Sequence, residues 1–226
     1  MNRALLILVL LLIAAGWMPS TAHARDDFQY WSQYSVKLID TKKFDLTTFA
    51  TGRLMDDAGE MRFYYVSEGL AYSLHKNLGL GLNYTYVRIK TINNLDDSEF
   101  KFHHRIELET IPRGTFANGW QWSIRNRIEF RWIEDMGAHS ARFRSRWALT
   151  FPLKNRGQLK DFYTSVEPFY LTHAHEISEI WVTPIGTTWT INDKVSLKVY
   201  YMQQLRKGTD SWLSNEVLGT TLSFKF

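Results

Sequence analysis

Arginine is the residue with the clearest chemical role in this sequence, because it recurs at every second position across a central stretch. Between residues 98 and 151, one strand parity carries eight bases: Lys101, Arg105, Arg125, Arg127, Arg131, Arg142, Arg144 and Arg146. The same parity carries three acids: Glu107, Glu109 and Glu129. Alternate side chains of a strand point to one face, so these residues predict a charged surface with a local excess of five bases, eight minus three.

Two interpretations of this surface remain open. Acids alternate with bases, as in Arg127-Ile128-Glu129, and this favours a lattice of ion pairs, since unpaired charges in a confined interior are costly. The other interpretation is an arginine-lined track for a small anionic solute, because rings of bases favour anions. We expect Glu68, Glu167 and Glu179 to face the same interior and to reduce the basic excess.

Catalytic signals are weak. An esterase or lipid deacylase needs a serine beside a histidine and an orienting acid, and no distinctive motif marks such a set. The candidates stand near strand ends or in loops: His103, His104, His139, His173, His175, Ser140, Ser178 and Ser214. His173, His175 and Glu176 form one polar loop that gives little indication of a metal site, and cysteine is absent. We expect a non-enzymatic protein without metal or cofactor.

Strands of period two must position the charged residues. In 119–133 the face opposite the bases is apolar and largely aromatic: Trp120, Trp122, Ile124, Ile128, Phe130 and Trp132. Aromatics at strand ends are typical of the girdles around a lipid-facing band. A mean hydropathy of −0.28 fits such a barrel, since lumen and lipid faces average out. The alternative is a soluble β-sandwich with its aromatic face packed inward. The stretches 61–75 and 176–190 are apolar on both parities, so their faces are unassigned.

The N-terminus predicts a cleaved signal peptide over residues 1–24. Arg3 precedes an apolar segment from Ala4 to Ala15, and Ala22 with Ala24 gives a signal-peptidase site, so one mature domain covers 25–226. Removing Arg3 lowers the formal net charge from +4 to +3, which is too mild to indicate nucleic-acid binding. No later apolar run is long enough for a transmembrane helix.

The last strand resembles the C-terminal signature of bacterial outer-membrane proteins, which the barrel assembly machinery reads. Apolar and aromatic residues occupy alternate positions up to the final residue, with the signal at Leu218, Leu222, Phe224 and Phe226. This predicts export to the outer membrane of a Gram-negative bacterium, with membrane lipid and the assembly machinery as partners.

Eleven segments have the length and alternation of strands: 28–39, 44–53, 61–75, 78–91, 98–110, 119–133, 139–151, 160–172, 176–190, 194–206 and 212–226. Bacterial single-chain barrels have even strand numbers, so one of these segments should be wrong, and we expect 10 to 12 strands in an antiparallel up-and-down barrel. A periplasmic C-terminus would place the connectors near Asp40–Lys43, His75–Asn77, Pro112–Gly119, Pro152–Lys160 and Asn192–Asp193 in the periplasm. The connectors 55–60, 93–99, 134–139, 172–176 and 206–211 would be extracellular.

Nearly the whole mature chain resembles the DUF2490 family of outer-membrane barrels of unknown function. The resemblance rests on the order of Trp31, Arg62, Glu68-Gly69-Leu70-Ala71-Tyr72, Leu80-Gly81-Leu82-Asn83-Tyr84, His104-Arg105, Arg127-Ile128-Glu129-Phe130-Arg131, Arg142-Phe143-Arg144 and Glu167-Pro168-Phe169. The chain departs from the family at Glu179, where a base is expected. The resemblance implies the fold and the location, and no catalytic residue or ligand.

These patterns together predict an all-β transmembrane barrel whose role is structural or that of a narrow, porin-like channel for small anionic solutes. Two alternatives remain. One is an outer-membrane lipid-modifying enzyme of the esterase or deacylase type, and the other is a soluble periplasmic β-sandwich that binds a partner.

Overall fold

The computed structural model describes residues 27–92, 98–135, 140–154 and 157–226, so the predicted signal peptide and the predicted mature start at Arg25 lie outside the described residues. The described chain forms eleven strands: β1 Asp27–Asp40, β2 Phe44–Met55, β3 Glu60–His75, β4 Leu78–Ile92, β5 Ser98–Thr115, β6 Gln121–Ile133, β7 Ser140–Pro152, β8 Leu159–Leu171, β9 Glu176–Asn192, β10 Val195–Lys207 and β11 Trp212–Lys225. In these residues, no helix has the length and apolarity that a membrane crossing would need.

The eleven strands close into one barrel. Each strand pairs antiparallel with the next, and β1 pairs in parallel with β11, from Asp27 opposite Asn215 to Lys37 opposite Lys225. The expectation that one of the eleven segments is not a strand is therefore wrong. An odd number makes the first and last strands run in the same direction, and a parallel ladder then closes the sheet. A single closed sheet also rules out the sandwich.

The connectors fall at the two ends of the barrel. End A holds the connectors 41–43, 76–77, 116–120, 153–158 and 193–194 together with the end of β11. End B holds the other five connectors and the start of β1. The two predicted sets of connectors therefore lie at opposite ends. Because the strand number is odd, the start of β1 and the end of β11 also lie at opposite ends.

One predicted boundary is wrong. The connector expected at Pro112–Gly119 begins later, because β5 continues to Thr115 and Pro112 pairs with Leu78 at the start of β4. Proline has no N–H for a ladder and is tolerated in a strand at an irregularity. The β5–β6 ladder has such a gap at Pro112, since its register passes from Thr110–Asn126 directly to Arg113–Ser123.

The apolar face of the strands points outward and the charged face points into the lumen. Outward Leu82, Trp147 and Ile185 are 48%, 45% and 52% exposed, whereas inward Glu129 is fully buried. Aromatic pairs lie on the outside near both ends, Phe44 with Tyr72 and Trp120 with Phe151 toward end A, Tyr64 with Phe100 toward end B. This arrangement is the inverse of a soluble sandwich, whose apolar face is its core.

The faces of β3 and β9 differ from those of the central strands. Inward positions of both strands carry large aromatics, Phe63 and Trp181, while Val66 and Ile185 point outward. Glu68 was expected in the lumen, but it lies on the outer surface, where its carboxylate accepts a hydrogen bond from the Thr48 hydroxyl at 2.9 Å. The reason is parity: Phe63, Tyr65 and Ser67 take the inward positions of β3, so Glu68 has the outward parity of Val66 and Leu70.

Candidate functional site: the charged lumen

A lattice of ion pairs crosses the lumen from β5 to β9. Its centre is the fully buried Glu129 of β6. One carboxylate oxygen of Glu129 is 2.7 Å from Arg142 Nη2, and the other is 2.7 Å from Arg144 Nη1. Both arginines belong to β7, so each forms a planar, charge-assisted contact with a neighbouring strand. Glu129 therefore neutralises two buried guanidinium groups.

Glu167 of β8 extends the lattice. Its Oε1 lies 2.9 Å from Arg144 Nη2 and 2.8 Å from Arg125 Nη2. On the other side, Arg127 binds Glu107 at 2.7 Å and Glu109 at 2.5 Å. Arg144 thus connects the acids of β6 and β8, and its side chain is only 7% exposed.

Glu179 closes the lattice at β9. It lies 3.7 Å from Arg142 and accepts a hydrogen bond from the Trp181 indole at 2.5 Å. It also accepts one from Gln204, whose carbonyl accepts from Asn215 at 3.1 Å. Glu179 therefore links the arginines to the polar groups of β10 and β11. It stands at the position where the family resemblance predicts a base.

Aromatic side chains fill the lumen from β1 to β3 and meet the lattice at β8 and β9. The Arg53 guanidinium lies over Trp31 at 3.7 Å and over Phe63 at 4.3 Å from the ring centres. Trp181 contacts Trp31 at 5.0 Å and Phe169 at 4.8 Å between centroids. We call these five residues the aromatic cluster. The cluster was not predicted from the sequence, where its signal was that β3 and β9 are apolar on both parities.

The lattice and the aromatic cluster meet and fill the middle of the lumen. Arg144 belongs to the lattice and also lies 4.2 Å above the ring centre of Phe169. Buried inward side chains come from nine strands around them: Trp31, Phe63, Val87, Glu107, Glu129, Arg144, Phe169, Met202 and Val217. A narrow barrel is expected to fill its interior with its own side chains in this way.

A cavity of about 780 Å³ remains in the half of the lumen toward end A. It extends from Trp31 and Arg144, at the filled middle, to Gln121 and Ser223 near the rim. Twelve serines and threonines line it. Its charged residues are seven bases (Arg53, Arg105, Arg125, Arg127, Arg144, Arg146, Lys198) and four acids (Glu107, Glu109, Asp161, Glu167), which gives a formal excess of three. We call this space the end A cup.

Three predicted lumen arginines stand outside the lattice. Among the described residues, Arg105, Arg131 and Arg146 have no carboxylate within 4.0 Å. Arg131 donates a hydrogen bond to the Ser140 hydroxyl at 2.5 Å. The other six predicted site residues, Glu107, Arg125, Arg127, Glu129, Arg142 and Arg144, are brought together in the lattice.

The residues of the predicted assembly signal follow β11. Leu218 and Leu222 have the outward parity of the strand, and Phe224 pairs with Val36 of β1 and Val195 of β10. Phe226 follows the end of the strand and is 82% exposed. The signal therefore lies at the parallel seam that closes the barrel, at end A.

The candidate catalytic histidines are dispersed. His104 is on the outer surface, where its Nδ1 is 2.6 Å from the Tyr84 hydroxyl and its ring contacts Tyr86 and Phe102. Within the described residues no serine or carboxylate bonds to it. His139 lies outside the described residues. Glu176 pairs with Lys207, and the described part of the chain holds no group of three or more His, Asp or Glu placed to bind a metal.

The family model DUF2490, described as a protein of unknown function, matches residues 28–215. The chain belongs to this family. The matched region contains the whole lattice and the aromatic cluster, so both lie within the DUF2490 region. No curated protein and no solved structure matches the chain significantly.

Proposed function

We propose that this DUF2490 protein is a non-enzymatic outer-membrane barrel of a Gram-negative bacterium, exported by a cleavable signal peptide, whose lumen is held closed by its own charges. The observation that carries the proposal is the inverted arrangement of the strands. Glu129 and its arginines are buried inside, while the large apolar side chains are exposed outside.

The outer surface supports a lipid environment. Apolar side chains exposed around the barrel would be a severe liability in water, but they are required where hydrocarbon replaces water. Closure of the sheet also suits a membrane, because in the described chain each strand pairs with a neighbour on both sides and the sheet has no open edge. Aromatic pairs near both ends match the two interfaces of a bilayer.

The filled lumen supports a structural role for the barrel and argues against a wide channel. Most of the central arginines are neutralised by acids from neighbouring strands, and the aromatic cluster occupies the opposite side. Such a filled interior braces the wall and leaves no aqueous path of porin width. We therefore expect the resting protein to be non-conducting.

Membrane fractionation tests the location and the fold together. We expect the full-length protein, expressed in a Gram-negative host, to co-sediment with the outer membrane. It should migrate faster on SDS gels before boiling than after, because the closed barrel resists SDS at room temperature. Recovery of the protein in the soluble periplasmic fraction, with no difference between boiled and unboiled samples, would refute the proposal.

A narrow anion channel is the second candidate, and the basic excess of the end A cup favours it. Planar bilayers separate the two roles. Silent bilayers, from a preparation that shows the heat-dependent gel shift, support the closed barrel. A steady anion-selective conductance that falls in Arg127→Ala and Arg144→Ala would establish the channel instead.

The lipid-modifying alternative has less support, because the contacts of His104 are aromatic. It predicts altered lipopolysaccharide or phospholipid acylation in an overexpressing strain, lost in His104→Ala or His139→Ala. Our proposal expects an unchanged lipid profile in the strain that overexpresses the protein without substitutions.

A further inference from the structure

Two exposed cations of the end A cup have no carboxylate within 4.0 Å among the described residues. They are Arg146 of β7 and Lys198 of β10; Arg53 and Arg105 also line the cup without such a partner, but they are less exposed. Both side chains line the cup and are exposed there, so they project into the cavity. Arg144, on the same strand and parity as Arg146, is buried between two acids. The cup therefore contains free positive charge that the lattice does not use.

The acids near Arg146 and Lys198 either bind other arginines already or lie beyond ion-pair distance. Glu167 binds Arg125 and Arg144, and Glu109 binds Arg127. Asp161 also lines the cup, but no carboxylate oxygen of Asp161 comes within ion-pair distance of a base in the described chain. A cleft with an excess of one sign of charge and protein walls concentrates field lines and raises the local concentration of counter-ions.

Two tyrosines stand beside the pair with their hydroxyls free. Lys198 Nζ is 5.8 Å from the ring centre of Tyr163. The rings of Tyr163 and Tyr200 lie flat against Gly186 and Gly219, where added Cβ atoms would meet ring carbons at 2.2 Å and 2.0 Å. No hydrogen bond joins either hydroxyl to another described residue. Packing on the glycines fixes the rings and leaves both hydroxyls available as donors in the cup.

We propose that the end A cup is a binding site for a small solute carrying a phosphate or carboxylate group, which is held between Arg146 and Lys198 with the Tyr163 and Tyr200 hydroxyls as further donors. Arginine and lysine together suit an oxyanion, since the guanidinium supplies a planar fork and the ammonium a mobile point charge. A volume of about 780 Å³ lies in the range of small-molecule pockets and admits more than a bare ion.

The site rests on the proposed function only for its direction of access. If the C-terminus is periplasmic, the cup opens to the periplasm and the filled middle separates it from the outside. Binding itself requires only the folded barrel, and it is measured on purified protein in detergent, which is assayed for the heat-dependent gel shift first. A failed fractionation and a failed titration are therefore separate results.

Calorimetric titration with inorganic phosphate and with citrate, at constant ionic strength, tests the site. We expect saturable binding of at least one of the two, with chloride giving none. Phosphate alone, or citrate alone, identifies the preferred group. Arg146→Gln and Lys198→Met should each weaken binding about tenfold or more, the loss expected for a charge-assisted hydrogen bond. Arg131→Gln, which removes an unpaired lumen arginine toward end B, should bind as the wild type does.

A second measurement needs no variant. An amine-reactive reagent should modify Lys198 and the exposed Lys194, which stands in the turn at end A. Phosphate or citrate should protect Lys198 and leave Lys194 unchanged, as read by peptide mass spectrometry. Absence of binding to both anions, equal binding by the wild type and Lys198→Met, or equal modification of Lys198 with and without anion would each overturn the proposal.

Discussion

The two sides of the lumen are filled by different kinds of interaction. From β5 to β8 the interior is a lattice in which Arg125, Arg127, Arg142 and Arg144 share the carboxylates of Glu107, Glu109, Glu129 and Glu167. From β1 to β3 it is aromatic, with Trp181 of β9 and Phe169 of β8 joining the rings, and Arg53 there lies against rings instead of carboxylates. Arg53 is therefore held by rings alone, whereas Arg144 has two carboxylate partners in addition to the ring of Phe169.

Inward arginines therefore contribute to stability in more than one way. A buried ion pair costs most when one partner is removed, because the other charge stays behind without compensation. A cation stacked on rings leaves no opposite charge behind when it is removed. The two sides of the lumen should therefore respond in different ways to the same substitution.

The largest effect is expected for Arg144→Met, which removes the cation between Glu129 and Glu167. Methionine keeps much of the volume but leaves two buried carboxylates short of a partner, so the free energy of unfolding should fall by about 3–5 kcal/mol. Urea unfolding of the barrel in detergent, followed by tryptophan fluorescence, measures it. The matched control is Arg146→Met, two residues along the same face, which removes an exposed cation with no acidic partner and should change stability little. Equal losses in the two variants would mean that the lattice is not what stabilises this wall.

A smaller loss is expected where the interior depends on close packing. In Gly219→Ala the new Cβ would lie 2.0 Å from Cζ of Tyr200, so the ring must move from the position in which it packs against β11. Overpacking of this kind costs about 1–3 kcal/mol. At Gly79 the nearest atom to a new Cβ is at 3.7 Å, so Gly79→Ala serves as the control. A Gly219→Ala protein as stable as the control would show that Tyr200 repacks freely.

The lattice side could be predicted from the sequence because its alternation is strict. Arg125, Arg127 and Glu129 occupy every second position of one strand, and strand geometry alone puts them on one face. Their partners could not be predicted, since pairing depends on how neighbouring strands register in the closed sheet. Glu167 and Glu179, which were expected to face the interior, reach the lattice from β8 and β9. Since Lys101, Arg105, Arg131 and Arg146 stay outside it, the lattice joins four arginines to five glutamates.

The aromatic side escaped prediction for a physical reason. On β3 and β9, Phe63 and Trp181 fill the lumen while Val66 and Ile185 face outward, so both parities are apolar and period two disappears. The predicted strand number of 10 to 12 includes the observed eleven, and only the expectation that one segment was not a strand was wrong. The even-number rule describes how known bacterial barrels close, and it does not follow from the physics of a single strand; the eleven segments themselves were correct.

Arg53→Met tests whether the aromatic side depends on its arginine as strongly as the lattice side does. It removes a cation that no carboxylate contacts within the described residues, and methionine can still pack against Trp31. The lost cation–π attraction and the relieved desolvation of the charge are of opposite sign, so the change should stay within about 1 kcal/mol. The same unfolding measurement applies. A loss as large as that of Arg144→Met would mean that both sides need their arginine equally.

Glu68→Gln tests a charge on the outer face of the barrel. There the carboxylate contacts neither the arginines of the lattice nor the rings of the aromatic cluster. Glu68 lies between the exposed apolar residues Val66 and Leu70 on the outer face of β3, with the Thr48 hydroxyl as its hydrogen-bond donor. A carboxylate in a lipid-facing band is unfavourable, though less so than a base, and glutamine can still accept from Thr48. In lipid vesicles the variant should therefore be more stable by about 1 kcal/mol, whereas Glu99→Gln at end B should show no gain. An equal gain in stability in aqueous solution without lipid or detergent would contradict a hydrocarbon environment for this face of the barrel. A loss of stability in vesicles would contradict it as well.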